Sequence, residues 1–565
     1  MPYLRSSLFV ICFFTFLNAC ASQQSGGLGE WRHGAMATTA NPHATDAAIE
    51  MLEKGGHAVD AAIAAHLVLG LVEPQSSGIG GGGFMLVYER TDQSLKFHDG
   101  RETAPATATP TMFVEDGETM PFLRAWQSGK AVGVPGAIAL YKQAHDRHGK
   151  LPWTDLFGPA IKLATDGFNV SPRLAGFLPR IAQFSRLDEN PGAAEYFYPN
   201  GEPLKAGTLL KNPEYAATLG RIADEGPLAF YEGDIASAIV AAVSAEPDPG
   251  DLSIEDIASY KAVERDSVCG EFREVSICSA TPPSSGAAQI MIARIYDHLV
   301  DMGVDDIDAF VDAQRLAYAD RDHFFGDPDT TAVPVEGLLD EAYLESRAKG
   351  RFAPDAKPVH GNPELAEVVG IDTTEEASGT THLSVVDSDG NAVSFTATVE
   401  APFGSSRWVH GFLLNNEMTD FARDVTEDGP HPANAVGPGK RPRSSMSPTM
   451  VFDADGNLLL VTGSPGGNSI PAYVAKSIIG IFDWDLSPQA AADHPNIIAR
   501  GEKVRVETGV GNGVELAESL KKSGYDVQER EGENSGLHLI QVTPDGLVGA
   551  ADKRREGTVR SVSAQ

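Results

Sequence analysis

Apolar positions along the chain follow two textures, one with the period of a helix and one with the period of a strand. From Thr45, "TDAAIEMLEKGG" predicts a helix capped by Thr45 or Asp46, with Glu50 in its first turn and glycines closing it. The next stretch, "HAVDAAIAAHLVLGLVEP", is apolar nearly all round until Pro74, the pattern of a buried helix. "SSGIGGGGFMLVYER" passes from glycines into an alternating strand, and "LKFHDGRETAP" predicts a second strand ending at Arg101. Residues 130–350 read as mainly helical, as in "GAIALYKQAHDRHG", "WTDLFGPAIKLATDG" and "IDAFVDAQRLAYADRDHFFG". From residue 380 the texture turns to strands. "THLSVVDSDGNAVSFTATVE" alternates about an Asp389-Gly390 hairpin turn, and "MVFDADGNLLLVTG" repeats the pattern. Strands near residues 84–98 arise inside the helical half, so the pattern predicts one layered core rather than separable domains.

Composition narrows the picture. Of 565 residues 42% are hydrophobic and 22% charged, and no fixed-period repeat suggests a solenoid. The 44 basic and 78 acidic residues give a formal charge of -34. Nothing resembles a basic footprint, which argues against a nucleic-acid partner, and the acids read as a solvated surface. The N-terminus "MPYLRSSLFVICFFTFLNACASQQ" has Arg5, then an apolar run from Leu8 to Leu17. That run is shorter than the roughly 20 residues a membrane span needs. Residues 1–19 have the shape of a signal peptide, which implies export to the periplasm. "LNAC" resembles a lipobox, which would lipidate Cys20 and tether the protein to the inner or outer membrane. Cleavage near Ala21 with soluble release is the alternative, and the flexible linker 20–30 suits both. Cys269 and Cys278 lie in "SVCGEFREVSIC", where a turn at Gly270-Glu271 would place them on facing strands. A disulfide and two buried thiols both fit. No His/Cys cluster accompanies them, so no metal is expected.

Few stretches offer chemistry. The glycine run is no phosphate loop, because no Gly-Lys-Ser/Thr follows and it opens a strand. "GSPGG" at 463–467 lacks the G-x-S-x-G elbow spacing. "EEASGTTHLSV" is more promising. A threonine hydroxyl needs a base, and one solution makes it the first residue of a chain so that its own α-amine serves. That amine has an ordinary pKa of about 7.7–8.0, so part of it is free base near neutrality. A cut between Gly379 and Thr380 would create it. β-branched residues at a strand edge are also commonplace, and this stretch alone leaves both readings open.

A wider set of blocks decides between them. "GGHAVDAAIAA", "GGGGFML", "GRETAP", "AVGVPGA", "PPSSG", "AYADRDHFFGDP", "TTHLSVVDSDGNAVS", "FLLNNEMTDF", "NAVGPGKRPRSSMSPT" and "TGSPGG" occur in order over nearly the whole mature chain. Together they resemble the γ-glutamyltranspeptidase family of N-terminal-nucleophile hydrolases. The resemblance implies an α/β fold, a four-layer αββα sandwich formed jointly by two autoproteolytic subunits. A large subunit (31–379) and a small one (380–565) would arise by cleavage between Gly379 and Thr380 and remain together as a heterodimer. Thr380 would attack the γ-carbonyl of compounds such as glutathione, and water or an amino acid would resolve the ester. Thr398 would hydrogen-bond the nucleophile, and the amides of Gly466 and Gly467 would form the oxyanion hole. Arg101, Ser444 and Ser445 would hold the substrate carboxylate, and Asp420, with Glu400 and Glu417, its ammonium. No cofactor is implied.

Some positions depart from the family pattern. Glu400 stands where many members have asparagine, and Glu417 where many have glutamine, so three carboxylates would surround one ammonium and raise one another's pKa. Arg443 beside the serine pair is a candidate neutraliser, or else a solvated charge. "FARDVTEDGPHPANAV" is shorter than in members with a lid and has no aromatic between Phe421 and Ala433, implying an open acceptor side. His382 reads as structural. The alternative is a related acylase on the same fold, processing β-lactam side chains or polyglutamate.

Overall fold

The structure is a computed structural model that describes residues 31–425 and 430–563. The expected signal peptide (1–19), the expected linker 20–30 with Cys20, and residues 426–429 of the stretch after Phe421 lie outside the described residues.

Strand β1 (Ala35–Thr39) leads into helices α1 (Pro42–Glu53) and α2 (Ala58–Val72). Helix α1 starts earlier than its apolar pattern predicts. Asn41 caps it, accepting from the His43 amide, and Pro42 occupies the first turn, where its missing N–H costs nothing. Thr45 therefore lies inside the helix, with its hydroxyl 2.8 Å from that of Thr39. Helix α2 is buried almost throughout, as its all-round apolar sequence requires, and His57 with Asp60 forms its capping box.

Strands β2 (Gly82–Glu89), β3 (Ser94–Gly100), β4 (Val263–Phe272) and β5 (Val275–Ala280) follow, the last two inside the stretch that reads as helical. The β4–β5 turn falls at Arg273-Glu274 rather than Gly270-Glu271. This sets Cys269 directly opposite Cys278, and the pair is a disulfide. Helices α3 (Gly286–Asp301) and α4 (Asp306–Phe324) come next, then β6 (Gly379–Val386), β7 (Ala392–Glu400), β8 (Thr449–Phe452) and β9 (Leu458–Thr462). After α5 (Ile470–Phe482), the chain ends in β10 (His538–Thr543), β11 (Gly546–Ala551) and β12 (Thr558–Val562).

These strands pair in the order β11–β10–β9–β8–β5–β4–β3–β2–β7–β6–β1–β12. The array folds back on itself, so that β1, β6 and β7 lie over β11, β10 and β9. Ser384 Oγ donates to the His538 carbonyl at 2.9 Å and Ser394 Oγ to that of Thr462 at 2.9 Å across this seam. Thr38 Oγ1 donates to the Ala550 carbonyl at 3.1 Å. Outside the seam, α1 and α2 share a core with Leu383, Val385, Val393 and Phe395. On the other side α3, α4 and α5 pack with Ile277, Val451, Leu460 and Ile540. Strands from before residue 379 (β1 to β5) interleave with those after it, so each of the two cores is shared by both prospective pieces.

Candidate active site

Strand periodicity puts Thr380, His382 and Ser384 on one face of β6, opposite Thr398, Thr396 and Ser394 of β7. An alternating strand commonly shows its polar face to water. Here that face is turned into the seam and every residue of both strands is buried. Buried polar groups need partners. His382 finds Thr396 Oγ1 at 2.9 Å and Ser384 Oγ at 3.1 Å, and burial drives its pKa well below the ordinary value, keeping the ring neutral. Its structural reading stands. The ring fits because residue 463 is glycine: a Cβ there would lie 2.3 Å from it.

Thr380 pairs with Thr398 at the end of this hairpin, next to a register shift between Gly379 and Thr380. Their hydroxyl oxygens are 3.3 Å apart. Thr398 Oγ1 donates to the Gly379 carbonyl at 2.9 Å and accepts from the Glu400 amide at 2.8 Å. A hydroxyl has one proton, so Thr398 spends it on Gly379 and must accept the proton of Thr380. The chain is continuous here. One threonine thus polarises the carbonyl preceding the other. Small residues surround the bond by necessity: a Cβ on Gly379 would lie 2.4 Å from the Glu400 carbonyl oxygen, and one on Gly81 would lie 2.0 Å from that of Thr398. The glycine run is therefore a close-approach surface behind Thr398.

Arg101, just beyond β3, is buried. It donates to the carbonyls of Pro442 at 3.2 Å and Arg443 at 2.8 Å, to Asp420 at 2.6 Å, and to Glu417. Glu417 and Asp420 are i and i+3 on one 3₁₀ turn, where such positions eclipse and face the same way. Glu400 adjoins them through Asn416, whose amide donates to it at 2.5 Å. Burial raises the pKa values of all three acids; Asp420 adds to the effect on Glu400, while Arg101 opposes it at the other two. A fourth acid, Glu102, is pushed up to about 7 by burial against the pull of Arg101. The structure thus gathers Glu102, Glu417 and Asp420 on Arg101, with Glu400 beside Asp420, and the charge of Arg101 does not offset them.

Ser444 and Ser445 follow immediately. The Ser444 hydroxyl accepts from the Met446 amide at 3.2 Å, so it serves the local turn. Ser445 faces a second charge cluster. Its hydroxyl accepts from Arg321 at 2.7 Å, and its amide donates to Glu376 at 2.9 Å. Arg443 belongs to this cluster too, donating to Asp372 at 2.9 Å and to Glu376 at 3.3 Å. It is buried rather than a solvated charge, its ion pairs among the described residues are with Asp372 and Glu376 rather than with the three acids, and its carbonyl accepts from Arg101.

Gly466 and Gly467 both have positive φ, 141° and 57°, and lead through a 3₁₀ turn into α5. A Cβ on Gly467 would lie 2.4 Å from the Ala377 carbonyl oxygen, so the glycine pair sits against the segment just before the Gly379–Thr380 bond. Sequence reasoning missed two further groups at that bond. Asn534 donates to the Ser378 carbonyl at 3.2 Å and Arg555 to that of Thr380 at 2.9 Å, bracketing it. Arg321 was also missed, although its block, "AYADRDHFFGDP", carries part of the resemblance. No group of three or more metal-ligating side chains occurs among the described residues.

A threonine at a strand start, its hydroxyl beside a second threonine that holds the preceding carbonyl, within this α/β fold, is the arrangement of an N-terminal-nucleophile hydrolase. The gamma-glutamyltranspeptidase family matches residues 44–562. The glutathione hydrolase proenzyme of Escherichia coli (strain K12) is 37% identical over 536 residues, 92% of this chain and 90% of that protein. That of Bacillus subtilis (strain 168) is 34% identical, over 94% and 91%. Among solved structures, cephalosporin acylase from Bacillus halodurans matches with a TM-score of 0.83 at 26% identity, covering 98% of this chain and 100% of that one. Helicobacter pylori gamma-glutamyltranspeptidase matches with a TM-score of 0.52 at 31% identity, over 58% and 91%. The chain belongs to the γ-glutamyltranspeptidase family.

Proposed function

We propose that the chain is a self-processing γ-glutamyltransferase and glutathione hydrolase. The observation that carries this reading is the Thr380–Thr398–Gly379 geometry. Thr380 Oγ attacks the Gly379 carbonyl, whose oxygen Thr398 polarises. The C–N bond breaks as the proton passes to nitrogen, leaving an ester and a free α-amine. Water then hydrolyses the ester. The products are a large subunit ending at Gly379 and a small one beginning at Thr380, sharing a four-layer αββα sandwich.

The new α-amine then serves as base for the Thr380 hydroxyl. Attack on a γ-glutamyl amide gives a tetrahedral oxyanion opposite the Gly466 and Gly467 amides. Expulsion of the amine leaves a γ-glutamyl ester, which water or an amino acid resolves. Arg101, Ser444 and Ser445 take the substrate carboxylate, and Glu400, Glu417 and Asp420 its ammonium. The enzyme is exported, with residues 1–19 as leader and Cys20 as its lipid anchor.

Denaturing electrophoresis with N-terminal sequencing tests the reading. Two bands are expected, the smaller beginning at Thr380; a single full-length band inactive on γ-glutamyl anilides would overturn it. The likeness to cephalosporin acylase over nearly the whole chain favours an acylase as the second reading. Relative rates on γ-glutamyl and glutaryl amides separate the two, because only the former offers an ammonium to the three acids.

A further inference from the structure

The segment that follows β7 carries a buried cation without a carboxylate partner. Arg407 is 6% exposed and makes no ion pair among the described residues. Four of its five donors go to carbonyls at the C-terminal end of the helix Gly233–Val243 and just beyond it. Nη1 donates to Ala242 at 2.5 Å and Ala245 at 3.0 Å, and Nη2 to Pro247 at 3.0 Å and Asp248 at 3.4 Å. The end of a helix dipole offers roughly half an elementary charge, so the carbonyls meet the guanidinium only in part. The Asp248 side chain attracts Arg407 but is bonded to Arg124, at 3.0 and 2.5 Å. Arg407 Nε and Oγ of the neighbouring Ser406 are buried without a partner among the described residues. Leaving a buried charge or donor unmet is costly.

The same two residues line a pocket of 290 Å³, at the lower end of the range for small-molecule sites. Arg186 lines it as well. Burial pushes the Arg407 pKa below the ordinary arginine value; Asp248 opposes this and Arg186 adds to it. Two cations therefore act on one space. Arg186 pairs with Glu189 at 2.6 and 2.7 Å, with side chains 42% and 60% exposed. An exposed pair of this kind is worth about 0–1 kcal/mol, so Arg186 can exchange it for another carboxylate. Pro191, Ala242, Ala245, Pro247 and the Trp408 indole form an apolar part of the lining. The indole is held by Tyr196, with ring centroids 5.0 Å apart, and by a bond to Glu214 at 3.2 Å. Glu189 and Glu246 also line the pocket, both exposed. Their charges repel a dianion such as phosphate more than a single carboxylate on an apolar body.

We propose that this pocket is a second ligand site that takes a small monocarboxylate with an apolar or aromatic body. Arg186 grips the carboxylate, Arg407 supplies the buried charge that draws it in, and Trp408 with the prolines receives the apolar part. The pocket shares no lining residue with the set around Thr380 and Arg101, and the inference is independent of the γ-glutamyl reading.

The test uses 3-phenylpropionate as probe, by isothermal titration calorimetry on the cut, full-length protein. One equivalent should bind, and saturating L-glutamate should not displace it. 3-Phenylpropanamide, which has the same shape without the charge, should bind at least tenfold more weakly, as should inorganic phosphate. Arg186→Gln changes an exposed side chain; it should weaken the probe at least tenfold and leave activity on a γ-glutamyl anilide unchanged. Glu189→Gln has the opposite sign. It frees Arg186 and removes a repelling charge, so it should tighten binding at least threefold, a gain that a damaged fold would not produce. Absence of binding by the wild type overturns the proposal, as does equal binding of the amide or of phosphate. Wild-type affinity in Arg186→Gln, or no gain in Glu189→Gln, also overturns it. Displacement by L-glutamate would put the probe in the glutamyl site and overturn it too. A wild type inactive on γ-glutamyl anilides would sink the γ-glutamyl reading and leave these binding results to decide the pocket.

Discussion

The two sides of the cleft are built from the same kinds of residue in opposite proportion. Near Arg101 stand Glu102, Glu400, Glu417 and Asp420, and all four have pKa values raised first by burial and then by neighbouring acids. Around Ser445 stand Arg321 and Arg443, with Arg500 close by on Asp322 at 2.8 Å. There the balancing acids include Asp372 and Glu376, both from the segment that ends at Gly379. One side is short of a cation in any form of the protein. The other is balanced only while its own chain lies in it. A zwitterionic head group, carboxylate and ammonium on one carbon, answers both shortages at once, and a plain acyl group answers neither in full.

The largest test of this contrast removes the arginine that pairs with Glu417 and Asp420. Arg101→Met leaves Glu417 and Asp420 without a counter-charge in a buried site. Breaking a buried pair in this way costs about 3–5 kcal/mol. Urea unfolding should show that loss, and activity on γ-glutamyl anilides should fall below detection. The matching change on the other side, Arg443→Leu, should cost less, about 1–3 kcal/mol, because Arg321 remains on Glu376 at 2.5 Å. Its expected signature is a KM raised about tenfold with kcat little changed, from steady-state kinetics on the cut enzyme. An Arg443→Leu protein as damaged as Arg101→Met would show that the two sides are not differently provisioned.

How much of this was legible beforehand follows from the kind of signal each feature leaves in a sequence. The hairpin at Asp389-Gly390 and the buried α2 were readable because alternation and all-round apolarity are local. Gly379 was readable in part: its smallness suggested a cut, but the reason, a Cβ that would meet Glu400, lies 21 positions away in β7. The start of α1 was misplaced because Asn41 and Pro42 carry no apolar periodicity, only capping chemistry. The β4–β5 hairpin was readable from its two cysteines, but its turn was set at Gly270-Glu271 instead of Arg273-Glu274, because the glycine drew the turn while the half-exposed β4 gave no clear alternation. The role of Arg443 was misjudged for a different reason. Sequence proximity to the serine pair said nothing about side-chain direction, and its partners Asp372 and Glu376 come from a stretch that reads as a featureless linker. Asn534 and Arg555 approach the Gly379–Thr380 bond only through the seam between the folded-back strands, which no local pattern announces.

The contrast should also appear as opposite pH dependences in the uncut Thr380→Ala protein. On the acid side the folded pKa values lie above the unfolded ones. Their contribution is fully present below the ordinary carboxylate values and is lost as pH rises through the raised values. Glu376 has the reverse sign. Its folded pKa is about 2, so its contribution is present above about 4.3 and is lost as pH falls towards 2. Buried neutral histidines add to the acid-side loss: His66 and His538, both lowered to about 3 by burial, destabilise the fold increasingly as pH drops below about 6.5. Melting curves across pH 2–8 should therefore pass through a maximum. Glu400→Gln should flatten the alkaline limb alone, and Glu376→Gln the acidic limb in part, the histidine share persisting.

The smallest effect concerns one hydroxyl, and it separates two ways of holding a carboxylate. Ser445 meets Glu376 through its backbone amide, at 2.9 Å, while its side chain accepts from Arg321 at 2.7 Å. Ser445→Ala keeps the first contact and deletes the second. The carboxylate keeps its N–H donor and both arginines, and Arg321 keeps Ser285 Oγ at 2.9 Å and Asp322 at 2.9 Å. The loss is one hydrogen bond to a charged donor that has other partners, worth about 1–2 kcal/mol. Steady-state kinetics of the cut enzyme should show KM for a γ-glutamyl anilide up about five- to thirtyfold, with kcat unchanged. A larger rise would mean that the hydroxyl itself contacts the substrate carboxylate and that the Ser445 amide is secondary. No rise at all would place the recognition of the carboxylate in the arginines, Arg101 included, and the Ser445 amide.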